Sequence, residues 1–189
     1  MELVIATAGA LSVALIDGAA LVAEHHAEIG RGHAEAVVGV VARLIDGRDV
    51  HGILVDTGPG SFTGIRIGVA AARALGLAWD VPVAGVGDLA LVAAAAFAVD
   101  PAEIVVAVAD AGRGRVYWQA FARDGVRPLS PPAAGIAADV VVAPGAAVAG
   151  TAAGLVACRR IDVGAARAAD ARRLPPSARG PATPLYLAA

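Results

Sequence analysis

The 189-residue chain contains no lysine and no asparagine, and all 15 of its positive charges are arginine. Without lysine there is no Schiff-base amine, no lysine general base and no P-loop lysine to meet a nucleotide's phosphates. Cys158 is the sole cysteine, which excludes a disulfide framework and a zinc site of several thiolates. In an apolar stretch it reads as a small buried hydrophobe. Aromatic residues make up 4% and charged residues 17%, against 58% hydrophobic. A disordered chain has the reverse balance, so this one folds around a sizeable core. The four histidines, His25, His26, His33 and His51, form no H-E-x-x-H or H-x-x-x-H pair, so two-histidine ligation on a helix face is missing and no metal site is expected. Each reads as a surface or capping histidine.

Formal net charge is −2, too little of either sign for a broad polyanion-binding surface. The charge is uneven, however. Residues 159–189 carry six Arg and two Asp, whereas residues 1–158 carry nine Arg and fifteen acids. A basic tail can touch RNA or an acidic partner, or simply be solvated. Membrane signals are weak. Residues 3–16 are apolar but follow Glu2 rather than a positive start. Residues 140–158 are uncharged but interrupted by Pro144, Gly145, Gly150 and Gly154. The expectation is a cytoplasmic protein with no membrane partner.

What is present has clear periods. LVIAT, LSVALID and ALVAEHH, separated by small-residue turns, predict an antiparallel meander over the first 26 residues. Residues 31–46 switch to three- and four-residue steps, predicting an amphipathic helix that ends at Gly47. GILVD (52–56) predicts a strand, residues 60–78 a long helix, and VPVAGV (81–86) a buried strand. Asp88 is placed to cap an Ala-rich helix running through Val99. A second half starts near residue 101, with strands at 104–110, 115–121 and 139–144, a loop from Arg127 to Gly135, a helix over 163–174 and an extended Pro-rich tail. A meander followed by alternating helices and strands predicts mixed α/β architecture. Such an order occurs in ribonuclease-H-like lobes, the unit of the actin-like fold.

The stretch DTGPGSFTGIRIG (56–68) is the most distinctive. It is not a P-loop, since Gly60 is followed by Ser, Phe, Thr and Gly. Ser61 can act as a helix N-cap. Alternatively, backbone N–H groups with Gly58, Gly60, Ser61 and Thr63 could hold an anion or a nucleotide phosphate. Asp110, at a strand end beside a glycine turn, reads as either a turn-forming Asp or a water-mediated metal contact in a nucleotide-binding fold. Ser61 lacks the G-x-S-x-G context of a nucleophile elbow, and no catalytic constellation emerges. Within the helix, Gly60, Gly64, Gly68, Ala72 and Gly76 recur every four residues along one narrow stripe. Each interior glycine costs about 1 kcal/mol relative to alanine. Such a ridge serves close packing inside the lobe or against a partner's helix.

GPGSFTGIRIG, the following VPVAGVGDLALVA, ADAGRGRVYWQAF and the terminal PLYLAA together resemble the TsaB (YeaZ) family of bacterial tRNA modification. IATAGALSVALID corresponds to that family's first hairpin, and His33 matches a histidine at the start of its first helix. The resemblance implies an actin-like fold of two lobes with mixed sheets flanked by helices, residues 1–100 forming the N-terminal lobe and residues 101–189 a reduced second lobe. It implies a non-catalytic subunit that binds and supports TsaD, alongside the ATPase TsaE, in threonylcarbamoylation of the adenosine next to the anticodon of tRNAs reading codons that begin with A. tRNA would be met through the complex. The interface would lie on the first two helices, with His33, Val37, Val41, Gly60, Gly64, Gly68, Ala72 and Gly76. No cofactor is required on this reading, though a nucleotide could bind weakly at the complex interface. A homodimer in isolation is also compatible. The sequence departs from the family where Ala6 replaces the first-strand Asp, where Gly112 and Arg115 replace an Arg and a Glu, and where Ala188 replaces a terminal Arg. The loss of the Asp argues against ATP hydrolysis. The competing expectation is an ATP-binding phosphotransferase or hydrolase of the same fold, using the glycine loop and Asp110.

Overall fold

The computed structural model describes residues 1–29 and 32–187; Ala188 lies outside the described residues. The meander forms as expected, with β1 (Glu2–Ala6), β2 (Leu11–Asp17) and β3 (Ala20–Ala27) pairing antiparallel in sequence. Helix α1 (His33–Ile45) follows, then β4 (Gly52–Asp56), α2 (Phe62–Trp79), β5 (Val83–Val86) and α3 (Asp88–Val99). β1, β4 and β5 run parallel, as crossover helices require. The second half contributes β6 (Ile104–Gly112), β7 (Arg115–Ala122), β8 (Arg127–Pro128), β9 (Ala133–Ile136), β10 (Ala147–Ala149) and β11 (Gly180–Pro181).

The strands make two mixed sheets, one ordered β11-β5-β4-β1-β2-β3 and the other β10-β6-β7-β8 with β9 also on β7. The period-two alternation sorts the first sheet's side chains to opposite faces. Leu3, Ile5, Val13, Ile53 and Val55 pack under α1 and α2 with Val37, Val41, Ile65 and Val69. Val4, Ala6, Ala14, Ile16 and Leu54 face α3, which also meets Val105, Ala107, Ala147 and Ala149 of the second sheet. Helix α3 is thus pressed between both sheets, and its sequence DLALVAAAAFAV, apolar on almost every side, suits a largely buried helix with only its last residues, Ala98 and Val99, exposed. Alanines let the two sheets approach. Both sheets being mixed and flanked by helices, the chain has the actin-like α/β architecture.

Four local expectations are corrected. Residues 139–144 form no strand. A strand needs a pairing edge, and that of β6 is taken by Ala147–Ala149; Val141 instead is 84% exposed. Within 127–135, the chain adds short edge strands to β7. Residues 163–174 hold only a 3-10 helix, Ala168–Arg173, anchored where the Ala168 N–H donates to Ser12 Oγ at 2.9 Å. Finally, the tail does not remain with the second half: β11 pairs antiparallel with β5 in the first sheet.

Candidate functional site

The carboxyl ends of the parallel strands are where α/β folds place their ligands. β1 ends at the turn Thr7–Ala10, β4 at the glycine loop and β5 at the start of α3. The loop is tied on all sides. The Ser61 N–H donates to the Ala8 carbonyl at 2.7 Å, the Thr57 N–H to the Val86 carbonyl at 2.8 Å, the Asp88 N–H to the Gly58 carbonyl at 2.9 Å, and the Leu185 N–H to the Thr57 carbonyl at 2.8 Å. Gly58 has φ +95°, and a Cβ there would sit 2.6 Å from Ile65 Cδ1, so only glycine fits.

Ser61 is the N-cap of α2, its Oγ accepting from the Gly64 N–H at 3.1 Å. This is the capping role, and it takes up the Gly64 N–H, one of the helix N-terminal donors an anion would need. Thr63 is exposed. Asp110 lies across the inter-sheet cleft from Gly60, but its Oδ1 accepts from the Gly112 N–H at 2.8 Å and so shapes its own turn. The cleft that brings Gly60, Asp88, Asp110 and Thr151 together measures about 40 Å³. That is room for a few waters, and a nucleotide does not fit there. Among the described residues, no group of three or more His, Cys, Asp or Glu is placed to hold a metal ion.

The small-residue ridge faces inward. Gly64, Gly68, Ala72 and Gly76 are buried. A Cβ at Gly64 would overlap the Thr7 carbonyl, at Gly68 the Thr7 hydroxyl and at Gly76 the Val83 side chain; at Gly60 it would lie 2.7 Å from Ala8. The glycines let α2 lie directly on the ends of β1 and β5. Val37 and Val41, each 2% exposed, belong to the core beneath α1, and His33 is only 8% exposed. Seven of the eight residues expected at an interface are therefore covered by this chain itself, and Gly60 alone of them is partly open.

The neighbouring register is the one left outside. Thr63, Ile67, Ala70, Ala74 and Leu77 recur at four- and three-residue steps, so they share a face of α2. Thr63, Ala70 and Ala74 are exposed, Ile67 is partly so, and Leu77 is 87% exposed. Alongside, α1 presents Val38 at 55% exposure and Ala42. Both helices pack on one side of the first sheet, and these residues are at least partly exposed on their outer sides. Period alone did not distinguish this stripe from the ridge beside it. At its edge, the Arg66 guanidinium lies 3.5 Å from the Phe62 ring centroid and 5.4 Å from that of Tyr186, and its Nε donates to the Tyr186 hydroxyl at 2.8 Å.

Two further groups escaped the sequence reading. Asp56 is wholly buried, its Oδ2 accepting from the Ala8 N–H at 3.0 Å and its Oδ1 from the Gly58 N–H at 2.7 Å. Asp88, expected as a helix cap, instead makes no side-chain cap; Gly87 is the N-cap, and the Asp88 carboxyl is buried against that of Asp56. Burial raises the pKa of Asp56 to about 6, its backbone hydrogen bonds opposing the shift. Burial, and then the Asp56 charge, raise Asp88 further. The basic tail is also largely spent within the chain. Arg159, Arg167, Arg173 and Arg179 pair with Asp100, Glu24, Asp170 and Glu2.

Comparison with known proteins fits this frame. Residues 21–149 match the family model described as TsaD, tRNA N6-adenosine threonylcarbamoyltransferase. The tRNA threonylcarbamoyladenosine biosynthesis protein TsaB of Escherichia coli is 41% identical over 40% of this chain and 33% of its own length. The Bacillus subtilis protein of the same name is 32% identical over 57% of this chain and 48% of its own. The chain thus spans about a third to a half of those curated relatives' length. A Pseudomonas aeruginosa crystal structure, of an uncharacterized protein with similarity to peptidase YeaZ, superposes with a TM-score of 0.86 at 29% identity, over 99% of both chains. Among the described residues no helix is long and apolar enough to cross a membrane. With the glycine loop, the mixed sheets and these relatives in agreement, the chain belongs to the TsaB (YeaZ) family.

Proposed function

We propose that this chain is a non-catalytic subunit of the machinery that makes threonylcarbamoyladenosine in tRNA, and that it works by binding and supporting TsaD. The observation that carries this reading is the outward apolar face of α1 and α2, with Val38 and Leu77 more than half exposed and no segment of the described chain over them. A surface of small and aliphatic residues on two adjacent helices suits a partner presenting helices of its own. The first lobe, residues 1–100, carries this face, with the tail laid along its edge. The absence of lysine, the Ala6 substitution and the narrow inter-sheet cleft favour a supporting role over phosphoryl transfer. TsaE and tRNA enter this reading only through the assembled complex, and a second copy of the chain could cover the same face when TsaD is absent. The setting would be the cytoplasm, where tRNA is modified.

Size-exclusion chromatography with light scattering, on the chain alone and mixed with its own organism's TsaD, tests the proposal. A one-to-one complex that Ala74→Arg abolishes is the expected result. Failure to form any complex, with tRNA, nucleotide and TsaE supplied, overturns it. Magnesium-dependent ATP turnover by the isolated chain, lost in Asp110→Ala, would restore the enzymatic alternative.

A further inference from the structure

Helix α2 carries Arg66 and Arg73 and no acidic residue between Phe62 and Trp79. Both arginines are exposed, and among the described residues no carboxylate forms an ion pair with either. Arg73 is committed to the tail, its Nη2 donating to the Ala182 carbonyl at 2.7 Å. Arg66 is held differently. Its guanidinium lies over the Phe62 ring, 3.5 Å from the centroid, and its Nε donates to the Tyr186 hydroxyl at 2.8 Å. The two rings, with centroids 5.0 Å apart, hold it from the same helix on one side and from the tail on the other. The tail is itself anchored, by the Leu185 N–H on the Thr57 carbonyl and by β11 on β5.

We propose that Arg66 is a pre-set anchor for a carboxylate of the partner protein, at the margin of the exposed stripe of α2. A guanidinium offers its N–H donors in a planar fork. The Nε–H is spent on Tyr186, and no described residue accepts from Nη1 or Nη2. That free end of the fork matches a carboxylate with two parallel hydrogen bonds. A long side chain ordinarily loses rotamer freedom when it binds. Here the Phe62 ring and the Tyr186 hydroxyl have already restricted it, so less is lost on association. What lies beside the anchor favours a protein over RNA. Arg66 precedes Ile67 and stands three and four positions from Thr63 and Ala70, so it borders the stripe that ends at Leu77. Nucleic acid is held by several basic groups together, but Arg73 is bound to the tail and the chain's net charge is −2. Arginine and tyrosine beside aliphatic residues is the composition of a protein–protein hot spot. This assignment rests on TsaD meeting this face of α2, and adds that TsaD presents an acidic side chain there.

Calorimetric titration with the organism's own TsaD at several salt concentrations, using wild type, Arg66→Gln, Arg66→Lys and Tyr186→Phe, tests it. Glutamine should weaken binding about tenfold or more and flatten its salt dependence, because an ion pair is removed. Lysine keeps the charge without the fork and should recover only part of that loss. Tyr186→Phe keeps both rings and frees the guanidinium only at Nε, so its binding should weaken severalfold with the tail still in place. Unchanged affinity in Arg66→Gln or Tyr186→Phe, or full recovery in Arg66→Lys, overturns the anchor and leaves the partnership with TsaD standing. A wild-type chain that does not bind TsaD overturns both. If Arg66→Gln lowers only the retention of tRNA by the assembled complex, or only self-association of the chain alone, the guanidinium serves RNA or a second copy, and the anchor is overturned.

Discussion

The Thr7 hydroxyl donates to the Gly64 carbonyl at 2.8 Å, inside the buried contact between the end of β1 and the first turn of α2. That bond is possible only because Gly64 and Gly68 have no side chains to keep the helix away from Thr7. It fixes what the glycine ridge is for. The ridge seats α2 on its own sheet, and any partner must meet the helix on its other side.

Gly68→Leu should therefore act on folding before it acts on binding. A leucine there runs into Thr7 and Val55, and overpacking a tight core costs roughly 1–3 kcal/mol, occasionally more. Urea unfolding should show a lower midpoint for Gly68→Leu and for Gly64→Ala, whose Cβ would overlap the Thr7 backbone carbonyl. A Gly68→Leu protein with a wild-type midpoint would show that the ridge contact is not as tight as described.

Ala74→Arg makes the opposite combination. Position 74 is exposed on α2, so its unfolding free energy should stay within about 0.5 kcal/mol of wild type. Binding to TsaD should be lost, because a charged side chain is forced into an apolar contact. Circular dichroism melting beside co-elution separates the two effects. Retained binding with intact stability would remove the face of α2 from the interface.

The buried carboxyl pair predicts an unusual pH dependence. Asp56 titrates near 6 in the folded chain, above the ordinary carboxylate value, and Asp88 is raised as well. Between the unfolded and folded values the native state binds more protons than the unfolded one. The pair's favourable contribution is thus fully present in acid and is lost as pH rises through 6. For Asp56 alone the span from its ordinary 3.8 to about 6 corresponds to on the order of 3 kcal/mol. Ion pairs such as Asp100 with Arg159, whose carboxylate is held low chiefly by the guanidinium hydrogen bond, push the other way and weaken as pH falls. The difference between wild type and Asp88→Asn isolates the pair. The variant should gain stability relative to wild type as pH is raised, measured by thermal unfolding at several pH values.

Tyr186→Ala should loosen the tail. It removes the hydrogen bond to Arg66 and the ring 5.0 Å from Phe62. The global cost should be about 1 kcal/mol, since both rings are half exposed and a single hydrogen bond is worth little net. Local consequences should be larger, because the same segment donates from Leu185 to Thr57 and accepts from Arg73 at Ala182. Limited proteolysis should cut Tyr186→Ala within the last residues faster than wild type, with the body of the chain unaffected.

Much of the architecture was legible in the sequence because it rests on local rules. Alternation in ELVIA and LSVALID, the three- and four-residue steps of α1, the serine before α2 and the all-apolar α3 each name an element by its own period or cap. The missed elements were those that depend on a neighbour. VVV at 140–142 has strand propensity but no free edge to join, whereas Ala147–Ala149 has a modest propensity and the edge of β6. Residues 168–173 look helical, but their shape is set by Ser12 and Glu24 of the distant meander.

The functional surface divides along the same line. By itself, the sequence determined that α2 would exist, that a stripe of glycines would run along it, that no lysine chemistry was available, and that the chain resembled TsaB. Which stripe faces inward was decided only in three dimensions. Gly64 and Ala74 sit on one helix with the same kind of spacing, and only the position of Thr7 under the first buries the ridge and leaves the second in water. The meeting of Asp56 with Asp88 was likewise decided by the fold. Burial of both carboxyls depends on exclusion of water, which is not written in the spacing of two aspartates 32 positions apart.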